Sequence, residues 1–387
     1  MRHPQRHFLA CVLGGCASLS LVAGLACSTN GSNSGGSNDA ASASGDDADG
    51  SASTGDGGAS GDDGTGGGKP KPVIDAGVSD AGFPAGWLYT SGAKIYESNG
   101  SAPGTPWMGR GVNVDDIFFC GYNNTLYMTS PDKTLETIVS GLMSAWKPTF
   151  VRISLGMNSY PTVTSWLSDA AQYKTPMTGV INALGANPGV HVLVTLRSDT
   201  SMTGPNETTD LPTDTTDPTY VALVDTFANS GFVLFGLSNE PGGNSFTIAK
   251  ISAAMSHAVG VIRAEEDKLG VPHHIISVQG ENWTSNISSY ATAPLPYDNL
   301  VYEVHGYPPL TASYTYANIP VILGEYGTLS DSTTFYADLE AKQIPNLAWD
   351  FEPYGNCAPD LLNVNQSATN LSPTAWGTTV KTYLLAH

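Results

Sequence analysis

"FVLFGLSNEPGG", residues 232–243, passes within a few positions from an apolar run to an amide, a carboxylate, a proline and two glycines. Phe232-Val233-Leu234-Phe235 reads as a strand covered on both faces, the pattern of parallel sheets. A carboxylate at the end of such a strand costs free energy unless it is paired or functional. Asn239 and Glu240 therefore ask whether other strands of the chain end in the same way.

Seven more apolar runs do. The eight expected strands are 109–114, 149–154, 190–196, 232–239, 274–279, 300–305, 320–325 and 346–351. Helical periodicity separates most of them. In "SPDKTLETIVSGLMSAWK" (130–147), Leu135, Ile138, Val139, Leu142, Met143 and Trp146 recur at helical spacing, and Ser130-Pro131 reads as cap and first helical position. Residues 245–270 and 331–343 read as two further helices. The helical signal after the fifth and sixth strands is faint. Repeated strand–helix alternation over this length predicts an α/β fold, a (β/α)8 TIM barrel, with residues 86–107 as an N-terminal cover. A doubly wound open sheet is the other arrangement of such units, but no G-x-G-x-x-G or P-loop follows the first strand.

The chain before the barrel has a different composition. Arg2 and Arg6 precede an apolar stretch from Phe8 to Ala26, and "AGLAC" (23–27) follows, the layout of an export signal with cleavage before Cys27. A cysteine at that point ahead of a long polar tether resembles a bacterial lipoprotein, although Gly24 stands where the usual motif carries Leu. Lipid anchoring at Cys27 and plain secretion with the same cut both stay open, so the expected location is the cell surface, an outer-membrane lipoprotein, or the medium. Residues 27–82 lack aromatics, hold Val73, Ile74 and Val78 as their large aliphatics, and carry nine aspartates against Lys69 and Lys71. Such a segment reads as an extended linker. The expected organisation is thus signal 1–26, linker 27–82 and one catalytic domain 83–387. A formal net charge of −19 offers no basic face for nucleic acid. Membrane contact is expected only through the N-terminal anchor.

Active groups of a barrel gather at the C-terminal ends of its strands. Asn113, Arg152, Asn239, Glu240, His305, Tyr307, Glu325 and Trp349 all fall there, which predicts one polar pocket on one rim. Glu240 and Glu325 end the fourth and seventh strands. Two carboxyl groups about 5 Å apart suit glycoside hydrolysis with retention, one as nucleophile and the other as acid/base. Glu240 or Glu325 could instead be a structural ion pair, Trp349 ordinary core, and His305 a satisfied hydrogen-bonding histidine. Glu281 and Trp283 follow the fifth strand and stay open as cleft residues, while Asp115 and Asp116 read as a solvated loop.

Six motifs in order carry a family resemblance: "GRGVNV", "VRIS", "LSNEP", "VHGYPP", "ILGEYG" and "AWDFEP", spanning roughly residues 109 to 355. The domain resembles glycoside hydrolase family 5, the cellulase-type group of the retaining barrel clan. The resemblance implies that Glu240 is the acid/base and Glu325 the nucleophile. It further implies that Asn239 contacts the sugar 2-hydroxyl, Arg152 and Tyr307 orient Glu325, His305 stands beside the acid/base, and Trp349 forms a platform under the sugar. One position departs: the family's third strand usually ends in a histidine, and here Arg197 stands in "LVTLRSD". An arginine cannot titrate as an imidazole does, so it would bind a sugar hydroxyl or a substrate carboxylate. The resemblance implies a polysaccharide or oligosaccharide substrate, with glucan, mannan and end- or mid-chain cleavage all open, no cofactor and no metal. A monomer is expected.

The chain has five cysteines. Cys11 and Cys16 leave with the signal, and Cys27 is the anchor candidate. Cys120 and Cys357 follow the first and eighth strands, which are neighbours where a barrel closes. A disulfide between them would clamp that closure, worth about 4–5 kcal/mol in the chain-entropy picture. Two cysteines without clustered histidines argue against zinc. A surface carbohydrate-binding protein without turnover is the competing function, and a structural display head the third.

Overall fold

Eight segments pair in parallel around a closed barrel, most of them rich in the β-branched and aromatic residues that suit a pleated surface. The computed structural model describes residues 82–387 apart from 102, 116–133, 157–165, 168–169, 198–210, 242–245, 309–312, 353–357, 364–366 and 368. A small antiparallel sheet comes first, with strands β1 (Leu88–Ser91), β2 (Lys94–Glu97) and β3 (Thr105–Pro106). The barrel strands are β4 (Arg110–Asp115), β5 (Phe150–Leu155), β6 (His191–Leu196), β7 (Val233–Gly236), β8 (Ile276–Gln279), β9 (Leu300–Gly306), β10 (Val321–Tyr326) and β11 (Asn346–Ala348). They run in chain order around the ring, and β11 closes onto β4 by pairing Asn346 with Arg110 and Ala348 with Val112. The expected strands are all present. The fourth and eighth are shorter than expected: the fourth leaves its ladder at Gly236, with Leu237–Asn239 beyond it, and the eighth ends at Ala348 rather than at 351.

Alternation along each strand divides the side chains between two environments. Val112, Val114, Val151, Ile153, Val192 and Val194 face outward, fully buried beneath the helices. Inward-facing Phe150, Leu193, Leu234, Ile275, Val301, Ile322 and Leu347 form an apolar floor near the strands' starts, sealed by Leu88, Ile95 and Trp107. The N-terminal cover is thus a plug. Above that floor the inward positions turn polar, because Arg152, Thr195, Ser277 and Glu303 occupy the next layer.

The helices start where the sequence supplies caps. Helix α1 (Leu135–Ala145) begins at Thr134, whose hydroxyl accepts from the Thr137 amide. The expected cap at Ser130-Pro131 lies outside the described residues. Helices α2 (Thr175–Gly185) and α3 (Asp217–Phe227) each carry proline in their first turn. Helix α4 (Ile248–Leu269) runs from a Thr247 cap to Gly270, which takes φ of 67°. Only a five-residue α5 (Ser288–Thr292) follows β8, and no helix follows β9 among the described residues. The faint periodicity there reflects a real irregularity. Helices α6 (Ser332–Lys342), capped by Asp331, and α7 (Ala375–Ala386), capped by Thr374, complete the ring.

Candidate active site

Arg152 organises the polar layer. Its third position on β5 points it inward, and it is completely buried. One terminal nitrogen donates to Glu325 Oε1 at 2.6 Å and Asn113 Oδ1 at 3.0 Å. The other donates to Asn239 Oδ1 at 2.6 Å, and Nε reaches Thr195 Oγ1 and Glu303 Oε1 at 3.2 Å each. Residues from five strands or strand ends are thereby tied to one guanidinium. A planar fork of five donors suits this task better than a lysine would. Burial works against the charge, but Glu303 and Glu325 outweigh it and raise the Arg152 pKa further.

Two carboxylates face each other above it. Glu325, on β10 and 4% exposed, also accepts from the Tyr307 hydroxyl at 2.9 Å. Burial, with the charges of Glu325 and Glu240 nearby, pushes the Tyr307 phenol well above its ordinary range, so it stays a donor. Glu240 sits just past β7 with φ of 47°, a left-handed conformation uncommon for a residue with a side chain. Its amide donates to Gln279 Oε1 at 2.6 Å, which fixes this turn. Its side chain keeps 20% of its surface exposed. Backbone held in such a region is a common mark of functional positions.

His305 joins the two. Its Nδ1 lies 2.8 Å from Glu240 Oε1 and 3.5 Å from Glu325 Oε2, and its Nε2 lies 3.0 Å from Glu303 Oε1. Burial lowers its pKa, but the Glu325 charge and the bonds to Glu240 and Glu303 win and push it up to about 10. An oxygen of Glu240, an oxygen of Glu325 and a nitrogen of His305 all lie within 4.8 Å of one another. That donor set could in principle grip a cation, yet an imidazolium offers N–H groups rather than lone pairs. A second such cluster, Asp214, Asp217 and His257, lies on the surface.

Trp349, 8% exposed, follows β11, with its carbonyl held by Trp376 Nε1 at 3.0 Å. The Arg197 guanidinium lies 5.6 Å from its ring centroid and is ion-paired to Asp115. Asp115 corrects the expectation of a solvated loop: as the last residue of β4 it follows the inward Asn113 by two and is 1% exposed. Asp116 lies outside the described residues. Beside this pair, burial and the neighbouring charges of Asp115, Glu352 and Asp360 push Asp350 well above the usual carboxylate range.

Asn113, Arg152, Asn239, Glu240, His305, Tyr307 and Glu325 thus form one hydrogen-bonded network, with Arg197 and Trp349 as an adjoining group. Glu281 pairs with Asn286 at 3.0 Å in a local bridge after β8, and the structure records no bond from it or Trp283 to the carboxylates. Cys27, Cys120 and Cys357 lie outside the described residues. Glu303, below His305, Gln279, beside Glu240, and Thr195, bonded to Arg152, belong to the network and were not expected. The alternation signal was available, since Glu303 stands two residues before His305 and must share its face.

The cellulase family, glycosyl hydrolase family 5, matches residues 111–355. Among solved structures the chain resembles the catalytic domain of Thermobifida fusca endoglucanase Cel5A, at 17% identity and a TM-score of 0.58, covering 78% of this chain and 97% of that one. A β-mannanase from Streptomyces thermolilacinus gives 20% identity and 0.57, covering 78% and 97%. A cellulase termed Cel5C_n gives 19% and 0.59, covering 79% and 94%. No curated protein matches the chain. With the family signature spanning most of the barrel, the chain belongs to glycosyl hydrolase family 5 and is a glycosidase.

Proposed function

We propose that this glycosidase is an exported, retaining endo-β-glycanase acting on a neutral β-linked polysaccharide, glucan or mannan. The observation that carries the reading is the approach of Glu240 and Glu325 oxygens to within 4.8 Å. Retaining enzymes need about 5–5.5 Å between carboxyl groups, and inverting ones need more, to admit a water. Glu325 is the nucleophile: Arg152 and Tyr307 each donate to one of its oxygens and so fix its aim. Glu240, which keeps contact with solvent, is the acid/base.

In the first step a Glu325 oxygen bonds to the anomeric carbon as the glycosidic C–O bond breaks. The proton from Glu240 goes to the leaving oxygen. In the second, Glu240 takes a proton from water, whose oxygen displaces Glu325 and restores the configuration. Arg152 has donors only, so the Asn239 amide must present its oxygen to it, leaving Nδ2 for the sugar 2-hydroxyl. Trp349 offers its face to the sugar, steadied by Arg197. Because Arg197 is engaged with Asp115, a substrate carboxylate is not its first partner. A neutral glycan is also supported by relatives solved with cellotetraose and with mannohexaose.

Export and the tether rest on residues 1–82, with Cys27 as a lipid anchor, and the Cys120–Cys357 bridge is kept as part of the same reading. Wild-type protein should release oligosaccharides from β-glucan or β-mannan with the anomeric configuration retained in the first product, read by NMR. Glu240→Gln and Glu325→Gln should each lose roughly 10²–10⁴-fold in kcat. Binding of glycans with no cleavage of any would leave a carbohydrate-binding protein instead, and an inverted first product would remove the nucleophile role from Glu325.

A further inference from the structure

Below the two carboxylates lies a third that no substrate atom can reach. Glu303 is completely buried on β9, one layer beneath His305. Its Oε1 faces His305 Nε2 at 3.0 Å and Arg152 Nε at 3.2 Å, and its Oε2 accepts from the Ser277 hydroxyl at 2.6 Å. Gly324 makes the space, since a Cβ there would stand 2.0 Å from Oε1. A buried charge is costly, and a well-packed apolar residue would often serve stability as well or better. The fold nonetheless clears a site for it.

The geometry dictates what that charge does to the ring above. Carboxylates only accept hydrogen bonds, so an imidazole with Glu303 at Nε2 and Glu240 at Nδ1 satisfies both by carrying hydrogen on both nitrogens. The groups facing it from other elements are Glu325 on β10, Arg152 on β5, Tyr307 at the end of β9, and the neutral Gln279 and Thr284 around β8. Three carboxylates thus surround one guanidinium and one imidazole. Burial favours the neutral ring and the carboxylates oppose it, with the balance at about 10. Glu303 itself is held down to about 2 by Arg152 and by its bond to His305, against the effect of burial.

We propose that Glu303 is a positioning residue that keeps His305 doubly protonated, so that the Nδ1 proton forms a reserve shared with Glu240. The inference rests on the reading of Glu240 as acid/base. In the free enzyme the shared proton sits on Nδ1, donated to Glu240 Oε1. As the glycosidic oxygen approaches, the Nδ1–H bond breaks, a Glu240 O–H bond forms, and the ring is left neutral with Nε2–H still donated to Glu303. Glu240 then protonates the leaving oxygen. In the second step the proton taken from water by Glu240 returns to Nδ1, and the cycle closes without net change.

The test begins with the wild-type enzyme labelled with ¹⁵N-histidine, His305 being assigned by the signal lost in His305→Gln. Both ring nitrogens should resonate as protonated from about pH 5 to 8, and a neutral ring at pH 7 overturns the proposal. Glu303→Gln keeps the shape and removes the charge. It should lower the His305 titration by about one pH unit or more, and the alkaline limb of kcat/KM should move down by a similar amount. The loss should be greater for alkyl glycosides, whose leaving groups need a proton, than for dinitrophenyl glycosides. A folded Glu303→Gln enzyme with both titrations unmoved also overturns it. If that variant does not fold, the wild-type spectrum decides. Full activity of Glu240→Gln on alkyl glycosides would sink the acid/base reading, whatever the state of His305.

Discussion

Arg197 and Asp115 are 5% and 1% exposed, and each is the other's charge partner. Removing one side of such a pair takes the ion-pair partner from a charge held in a low dielectric. Asp115→Ala is therefore expected to destabilise the fold by about 3–5 kcal/mol, while Asp115→Leu with Arg197→Met together should recover most of that loss. Urea denaturation of the three variants measures it, and a single variant as stable as wild type would contradict the pairing. Activity should separate from stability here: the double variant loses the cation over Trp349, so its defect should appear in KM. The seven residues from Asn113 to Glu325 that share the Arg152 network were legible because each interrupts or directly follows an apolar run, although Asn113 and Arg152 prove to lie within their strands rather than at the ends. Asp115, Glu303 and Gln279 were not, since a run-end reading does not assign the phase of the strand. Once Arg152 and His305 fix which face is inward, counting in twos from them finds Ser154 and Glu303 directly, and counting from Asn113 finds Asp115. Arg197 shows the opposite limit. Its departure from the family's histidine is visible in the sequence, but its partner is 82 positions away and only the fold brings them together.

At the scale of elements, caps and close approaches carry the consequences. Helix α6 ends at Gln343, whose φ of 57° and ψ of 53° place a side chain where glycine is the usual occupant. Gln343→Gly should stabilise the protein by up to about 1 kcal/mol by relieving that conformation, seen as a higher urea midpoint at unchanged m. Strand β10 carries the reverse case. Gly324→Ala sets a methyl 2.0 Å from Glu303 Oε1, so either the strand or the carboxylate must move. Overpacking of this kind costs about 1–3 kcal/mol, and the variant should in addition lower the alkaline limb of the pH–rate profile, which a purely structural defect would leave in place. Strand positions and the helices at 248–269 and 332–342 were readable because period and caps agreed. The ladder of β7 was overestimated for a physical reason. Leu237 and Ser238 are buried and look like strand, yet the chain is already leaving the sheet to bring Asn239 and Glu240 over the pocket.

The barrel is closed at the bottom by the plug of residues 86–107, and that closure has its own pH dependence. His191, at the start of β6, is 2% exposed, stands edge-on to Trp107 at 5.3 Å, and lies 3.2 Å from the Gly86 carbonyl through Nε2. Burial lowers its pKa to about 4 against 6.5 in the ordinary state, with the bonds to backbone carbonyls only partly offsetting this. The unfolded chain therefore takes up the proton first as pH falls. Its contribution to stability is complete above the unfolded value, is lost progressively between 6.5 and about 4, and is flat below. At 1.36 kcal/mol per unit this amounts to about 3 kcal/mol. His305 acts in the opposite sense: its pKa is raised, so its contribution is full below 6.5 and disappears as pH rises toward about 10. The two histidines thus bracket a neutral window of greatest stability. His191→Gln retains an N–H donor for the Gly86 carbonyl and does not titrate. Urea unfolding at about pH 7 and about pH 4.5 should show the wild type losing roughly 2–3 kcal/mol more than this variant across that interval, carboxylate effects being common to both. Parallel losses in the two proteins would mean that burial beneath the plug does not hold His191 neutral in the folded state.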